Sequence, residues 1–306
     1  MIAYNSLSKH AEKSLFFGII FCIFSLPFYN SFTSISLGFI ILFFLAGLFI
    51  KNREIVSRKD IQFFALYLFI VLVSMLNSPD AAVSVKYLKK FILCIFLYLA
   101  VFQCSKNEKY AKGIIFFMIA CAVVCSIDGI FQYFNGFDWF SSRAIMRYPH
   151  LGINRITGPF HQSGVFGIFL GFVLPLIISF FISFGGLLKR ILLGLCILLL
   201  LTALFLTYAP GAVLGFIAAC IVLSILYKRY LFLGILAVII IAGFAALPSS
   251  LTEWPNGSFY TSITGRVSMW KTAVDIFMAH PLIGSSAGSF PVVYNDLCVP
   301  GQPHCQ

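Results

Sequence analysis

Four arginines lie in the two longest segments between or after the apolar stretches, residues 135–157 and 248–306, and their side chains are suited to binding phosphate. They are Arg143, Arg147, Arg155 and Arg266. A guanidinium group donates paired hydrogen bonds to phosphate oxygens and stays charged at any working pH. The four side chains are therefore candidates for binding an anionic group carried by a membrane lipid. A solvated loop that contacts lipid headgroups is the alternative, and charge alone favours neither interpretation.

Two further ionisable residues lie near the ends of apolar runs. Asp128 lies near the end of the fifth run, and His161 lies at the start of the sixth. Ionisable groups at membrane depth are costly, so each is a candidate functional residue. The simpler interpretation is that each side chain reaches interfacial water.

The sequence predicts no metal or cofactor site. Cys121 and Cys125 lie four residues apart on one helical face, but packing explains them more simply, because a metal would need further polar ligands. The chain has no GxxxxGK[ST] or HExxH motif. We therefore expect neither nucleotide hydrolysis nor zinc chemistry.

The composition is that of an integral membrane protein. Of 306 residues, 60% are hydrophobic and only 10% are charged, which does not describe a water-facing surface. A spanning helix needs about 20 apolar residues, so the hydrophobic share of this chain allows about nine spans. A soluble enzyme, a disordered chain and an outer-membrane barrel are excluded.

Nine apolar runs predict the fold class, which is all-α: a polytopic transmembrane helical bundle of about nine spans. The runs lie at residues 15–29, 32–50, 61–76, 84–104, 113–134, 158–184, 191–208, 212–227 and 230–247. We predict a transmembrane helical domain at residues 1–247 and a periplasmic segment at residues 248–306.

The basic residues predict the topology. Lys and Arg number 21 against 10 Asp and Glu, a net charge of +11. With the N-terminus in the cytoplasm, the densely basic turn at residues 51–59 is cytoplasmic, as the positive-inside rule expects. Topology explains the excess of positive charge more simply than a nucleic-acid partner does, and we predict none.

The segment SITGRVSMWKTAVDIFMAHPLIG predicts an amphipathic helix within the C-terminal segment. Thr264 is the expected N-cap, apolar residues such as Val267 and Trp270 recur at helical spacing, and Pro281 with Gly284 ends the helix. We expect this helix to lie on the outer membrane surface. Further on, Cys298 and Cys305 lie in a polar stretch and can form a disulfide if it faces an oxidising compartment.

Three stretches of the sequence resemble the O-antigen ligase and O-antigen polymerase family of polytopic inner-membrane glycosyltransferases. RITGPFHQSGVFGIFLGFVLPL at residues 155–176 is similar to the family pattern G-x-F-x-x-x-N/S-x-x-G/A. LTYAPGAVLGFIAA at residues 206–219 is similar to L-T-x-S-R-G-A-x-L-G. TGRVSMWKTAVDIFMAHPLIGSSAGSF at residues 264–290 matches G-R-x-x-x-W-x-x-A-x-x-x-F-x-x-x-P-x-x-G-x-G-x-x-x-F in most fixed positions. The family-like region covers about residues 155–306.

The resemblance implies an activity and its partners. A glycan would move from undecaprenyl pyrophosphate to an acceptor sugar hydroxyl on the periplasmic side of the bacterial inner membrane, in lipopolysaccharide or surface polysaccharide synthesis. The acceptor implied is lipid A core or a polysaccharide, and membrane lipids are the remaining partners. No cofactor is implied.

The resemblance also implies site residues. Arg266 matches the arginine of G-R-x-x-x-W and would stabilise the departing pyrophosphate, while His304 would act as the general base. Arg155 is a second cation candidate by position. The predicted substrate-binding set is Arg155, Arg147, Arg143 and His161.

Two departures from the family pattern favour an alternative function. Pro210 stands where the family has the arginine of S-R-G-A, and Cys305 follows His304 where the family's histidine motif continues into further spans. The alternative is a truncated, non-catalytic membrane scaffold or a transporter of lipid-linked glycans. Under that interpretation His304 is a mobile residue near the chain end.

Overall fold

The computed structural model describes residues 2–28, 30–50, 58–148, 153–183, 185–228 and 258–297. Within these ranges the chain forms ten α-helices, a short 3₁₀ turn and one pair of strands. The helices are α1 (Ile2–Ser25), α2 (Asn30–Ile50), α3 (Arg58–Ser74), α4 (Ala81–Ser105), α5 (Glu108–Asn135), α6 (Ser163–Ser183), α7 (Leu187–Leu206), α8 (Pro210–Leu226), α9 (Ser258–Ala279) and α10 (Phe290–Leu297). The 3₁₀ turn is Met75–Asn77, and the strands are β1 (Met146–Tyr148) and β2 (Ile153–Arg155).

Helices occupy eight of the nine apolar runs, and the run at residues 230–247 lies outside the described residues. Three described helices, α5, α6 and α7, are long and apolar enough to cross a membrane. The apolar helical segments Phe32–Gly47, Gln62–Asn77 and Pro210–Leu226 are shorter. The chain is therefore a mostly helical membrane protein.

The chain divides into two compact units. The first comprises Met1–Leu15, Leu37–Lys106 and Leu251–Gln306, and the second comprises Phe16–Ser36 and Asn107–Ser250. In the first unit, aromatic pairs hold α4 against α2 and α3. Their ring centroids lie 6.3 Å apart for Phe44 and Phe96, 5.4 Å for Phe64 and Tyr98, and 4.5 Å for Tyr67 and Phe91.

In the second unit, α6 packs against α5, α7 and α8. Its buried face consists of Phe166, Leu170, Leu174 and Ile177, all fully buried and three or four residues apart, so they lie on one side of the helix. Gly167 lies on the same side and lets the α7–α8 corner approach closely. A Cβ atom at Gly167 would lie 2.9 Å from the Cβ of Ala209.

The structure departs from the sequence predictions at two places. The segment at residues 135–157 contains an antiparallel pair, β1 with β2, in which Met146 lies opposite Arg155. The prediction of Thr264 as an N-cap is wrong, because α9 begins at Ser258. Phe259 and Ile263 continue the spacing of Val267 towards the N-terminus, so the helical pattern has no break at Thr264.

The predicted end of α9 is confirmed. The helix ends at Ala279, just before Pro281, and Gly284 has a φ of +72°. Proline cannot continue a helix, and glycine adopts positive φ without steric cost.

Candidate functional site

The buried amide of Gln132 fixes the polar loops that follow α5. Its Oε1 accepts hydrogen bonds from the backbone N–H groups of Thr157 at 2.8 Å and Gly158 at 3.0 Å. Its Nε2 donates to the Arg143 carbonyl at 3.3 Å and to Thr157 Oγ1 at 3.2 Å. Gln132 is fully buried, and an unsatisfied buried amide is costly, so these bonds determine where both ends of the β1–β2 hairpin lie.

Asp128 lies one helical turn before Gln132 and is also fully buried. Its Oδ1 accepts a hydrogen bond from the Trp139 backbone N–H at 2.7 Å. Its Oδ2 is buried and has no hydrogen-bond partner among the described residues. The side chain therefore holds the loop after α5 rather than reaching interfacial water.

Arg155 binds the end of α7. Its Nε donates to the Thr207 carbonyl and its Nη2 to the Tyr208 carbonyl, each at 3.1 Å. The neighbouring Ile156 N–H donates to the Leu206 carbonyl at 3.1 Å. The last carbonyls of a helix have no partner within the helix, and a cation is favoured at this end. Arg155 and Ile156 together therefore cap α7.

Arg143 is half-buried and also binds backbone carbonyls. Its Nη1 donates to the Pro159 carbonyl at 3.0 Å, and its Nη2 donates to the Phe28 carbonyl at 3.5 Å. Phe28 follows α1, so this guanidinium joins the hairpin region to the turn between α1 and α2. Two of the four predicted phosphate-binding arginines thus hold backbone in place.

The other two predicted substrate-binding residues in the second unit, Arg147 and His161, have exposed side chains. Arg147 lies on β1, and its Nη2 would be 3.1 Å from a Cβ atom at Gly136, so its guanidinium lies over the glycine backbone. His161 lies in the turn just before α6. The second unit therefore contains Arg143, Arg147, Arg155 and His161 within one loop region, residues 136–162.

Arg266 belongs to the first unit and lies on α9 with its side chain exposed. The adjacent Gly265 is buried. His304, Cys298 and Cys305 lie outside the described residues.

The loop between α9 and α10 contains polar contacts that the sequence analysis missed. Asn77 Nδ2 lies 3.4 Å from His280 Nδ1 and donates to the Gly284 carbonyl at 3.4 Å. Ser286 Oγ lies 2.7 Å from the Oγ of Ser84 on α4. The available signal was the family pattern itself, since Ser286 stands where the pattern has glycine, and its φ is +86°.

The position of His280 limits its role. Fourteen residues separate it from Arg266, which corresponds to about 20 Å along a helix axis. One phosphate group cannot bridge that distance. His280 therefore serves the contact with the 3₁₀ turn.

Pro210, in the position of a family arginine, is the first residue of α8. Proline suits the first helical position because the N–H it lacks would have no partner within the helix. Tyr208, two residues earlier, has a φ of +47°.

The described residues contain no group of three His, Cys, Asp or Glu side chains arranged to hold a metal ion. Within the second unit, hydrogen bonds to backbone carbonyls hold the guanidinium groups of Arg143 and Arg155 at fixed positions.

Residues 195–300 match the family model described as O-antigen ligase. The match covers about a third of the chain. It includes the stretches at residues 206–219 and 264–290 and does not extend to residues 155–176. No curated protein and no solved structure matches the chain. The resemblance is confirmed for residues 195–300, which match the O-antigen ligase family model.

Proposed function

We propose that this membrane protein of the O-antigen ligase type transfers a glycan from undecaprenyl pyrophosphate to an acceptor sugar hydroxyl on the periplasmic side of the inner membrane. The observation that carries the proposal is the family match over residues 195–300, which contains the G-R-x-x-x-W segment. The exposed side chain of Arg266 within that segment supports it. The acceptor class is lipid A core or a growing polysaccharide.

The proposed reaction is a displacement at the anomeric carbon. The acceptor oxygen forms the new bond to that carbon, the bond to the pyrophosphate oxygen breaks, and the acceptor proton passes to a base. Arg266 stabilises the charge that develops on the leaving pyrophosphate, and His304 takes the proton.

The substrate-binding set in this proposal is Arg143, Arg147, Arg155 and His161. Arg147 and His161 contact the substrate with exposed side chains, and their exposure supports this role. Arg143 and Arg155 act from positions that their carbonyl hydrogen bonds fix. A fixed guanidinium loses less side-chain entropy when it binds an anion.

The test uses the full chain, purified and reconstituted into liposomes with an undecaprenyl-pyrophosphate-linked glycan and an acceptor glycolipid. We expect turnover by the wild type and a loss of about 100-fold or more in Arg266→Ala, the scale seen when one oxyanion donor is removed. Lys271→Ala is the matched control, because Lys271 is an exposed cation on the same helix. Equal rates of glycan transfer for the two variants would show that Arg266 takes no part in the reaction.

The second candidate function is a non-catalytic scaffold or a carrier of lipid-linked glycans. Pro210 in place of the family arginine favours it, because one cationic contact is missing. Binding of the lipid-linked glycan without turnover supports this candidate, and turnover contradicts it. If the first function holds, Pro210→Arg should raise the rate, since it restores a cation.

The proposal includes a topology of nine spans with a cytoplasmic N-terminus. Residues 1–247 form the transmembrane domain, and residues 248–306 form a periplasmic segment. The three helices that can cross a membrane, α5 to α7, support the helical part of this arrangement.

A further inference from the structure

We infer that Gln132 is a positioning residue for Arg143, whose guanidinium it aims at the pyrophosphate group of the lipid-linked donor. The inference rests on the proposed function, in which Arg143 belongs to the substrate-binding set. Gln132 is fully buried on α5 and does not itself contact the substrate. Its effect on binding therefore passes through Arg143.

The Gln132 amide holds the backbone of Arg143. Gln132 Nε2 donates to the Arg143 carbonyl at 3.3 Å, and the Asp138 N–H donates to the same carbonyl at 3.0 Å. Two residues further on, the Ile145 N–H donates to the Gly136 carbonyl at 2.8 Å. These three hydrogen bonds fix the segment from which the Arg143 side chain extends.

The same amide holds the group that the Arg143 guanidinium binds. Gln132 Oε1 accepts the N–H groups of Thr157 at 2.8 Å and Gly158 at 3.0 Å. The next residue, Pro159, provides the carbonyl to which Arg143 Nη1 donates at 3.0 Å. Thr157, Gly158 and Pro159 are all buried, so this backbone has little room to move.

One amide thus fixes both ends of the Arg143 side chain, its own backbone and the carbonyl that its guanidinium binds. Holding a long side chain in one arrangement before the ligand arrives lowers the entropy cost of binding. A guanidinium has five N–H groups. Within the described ranges, Arg143 uses one of them for Pro159 and one for Phe28, which leaves donors for phosphate oxygens.

Glutamine suits this position because its amide accepts and donates at the same time. Q132M keeps the length of the side chain and removes its hydrogen bonds to Arg143, Thr157 and Gly158. Q132E keeps an acceptor for the two N–H groups. The two variants therefore separate loss of the whole network from loss of part of it.

The experiment measures KM and kcat for glycan transfer by the full chain in liposomes, with the concentration of the lipid-linked donor varied. We expect Q132M to raise KM about tenfold or more with less effect on kcat, because Arg143 binds the donor before the reaction. Q132E should lie between Q132M and the wild type. A variant that only folds poorly would instead give a lower apparent kcat and an unchanged KM.

The matched control is N135L, on the same helix. Asn135 Nδ2 donates to the Phe131 carbonyl within α5 at 3.0 Å, and its side chain is exposed. N135L should therefore keep the wild-type KM. The same KM in Q132M and N135L would overturn the inference.

A double-mutant comparison tests whether the effect passes through Arg143. Residues that act through one another show non-additive effects, so Q132M should change KM little in an R143A background. In an R147A background, Q132M should raise KM as much as it does in the wild type. A full rise in R143A would contradict the positioning role.

Hydrogen exchange on the wild type tests the same role without any variant. The N–H groups of Thr157 and Gly158 should exchange slowly in the ligand-free protein, and equally slowly with undecaprenyl pyrophosphate bound. Fast exchange that slows only on binding would overturn the inference, because the ligand rather than Gln132 would then order this backbone.

Failure of the positioning role is distinguishable from failure of the proposed function. If the wild type gives no turnover, the dissociation constant for undecaprenyl pyrophosphate, measured by native mass spectrometry in detergent, replaces KM in every comparison. A wild type that neither transfers the glycan nor binds this carrier refutes the proposed function and the inference with it. A wild type that does either, with Q132M matching it, refutes the positioning role alone.

Discussion

The guanidinium of Arg155 donates one hydrogen bond to the Thr207 carbonyl and another to the Tyr208 carbonyl, each 3.1 Å long. Arg155 ends β2, and the two carbonyls belong to the two residues that follow α7, 52 and 53 residues further along the chain. The side chain thus has a structural role in addition to the anion-binding role proposed for it. The two roles predict different measurements.

Replacing Arg155 with alanine should destabilise the fold. A hydrogen bond to a charged group contributes about 1.5–3 kcal/mol, so losing two partly exposed ones should cost about 3 kcal/mol. The melting temperature of the purified protein in detergent measures this. Arg147→Ala is the control, because Arg147 lies on the paired strand β1 and is exposed. An unchanged melting temperature in Arg155→Ala would show that Arg155 does not stabilise the end of α7.

Gly167→Ala should destabilise the packing of α6 against the α7–α8 corner. The new methyl group would lie 2.9 Å from Ala209 Cβ and 3.1 Å from Thr207 Oγ1, and overpacking costs about 1–3 kcal/mol. Gly164→Ala in the same helix meets nothing within 4 Å and should be neutral or stabilising by up to about 1 kcal/mol. Thermal unfolding of both variants gives the comparison, and equal shifts would contradict the close packing.

Two substitutions of Ser286 should separate the effect of its strained backbone from the effect of its hydrogen bond. Its φ of +86° favours glycine, whereas its Oγ lies 2.7 Å from Ser84 Oγ. Ser286→Ala keeps the strain and loses the hydrogen bond, which should cost about 1 kcal/mol. Ser286→Gly loses the bond but relieves about 1–2 kcal/mol of strain. We therefore expect the glycine variant to melt above the alanine variant, and the same Tm for both would argue against strain.

Reporter fusions test the proposed topology. Alkaline phosphatase, which is active only outside the cytoplasm, should be active when fused after Phe290 and inactive when fused after Lys189, in the first turn of α7. Green fluorescent protein at the same two positions should give the opposite pattern. Phosphatase activity at Lys189 together with fluorescence at Phe290 would reverse the topology and refute transfer on the periplasmic side.

The sequence was sufficient to predict most of the helices, because long apolar runs have few alternatives in a membrane. The apolar run placed the start of α4 at residue 84, whereas the helix begins at Ala81, directly after its N-cap Asp80. The predicted start is late because Lys86, Lys89 and Lys90 lower the hydropathy of the first turns. The cap itself has a recognisable signal, an aspartate followed by helix-forming residues.

The partners of the polar side chains could not be predicted. Arg155 bonds to carbonyls 52 and 53 residues away, and every residue except proline offers the same carbonyl acceptor and N–H donor, so no residue type marks the partner. Asp128 and Gln132 did carry a signal, because polar residues four apart share one helical face. That spacing could have indicated a buried polar face on α5, which the sequence analysis did not predict, although not which loop it would hold.

The β1–β2 hairpin is attached at both ends, through Gln132 to α5 and through Arg155 and Ile156 to α7. The hairpin therefore connects these two helices at one end of the second unit. The helices can part there only if one of these two sets of bonds breaks. An opening that admits a bulky lipid between α5 and α7 would therefore first have to release the hairpin from one of the two helices.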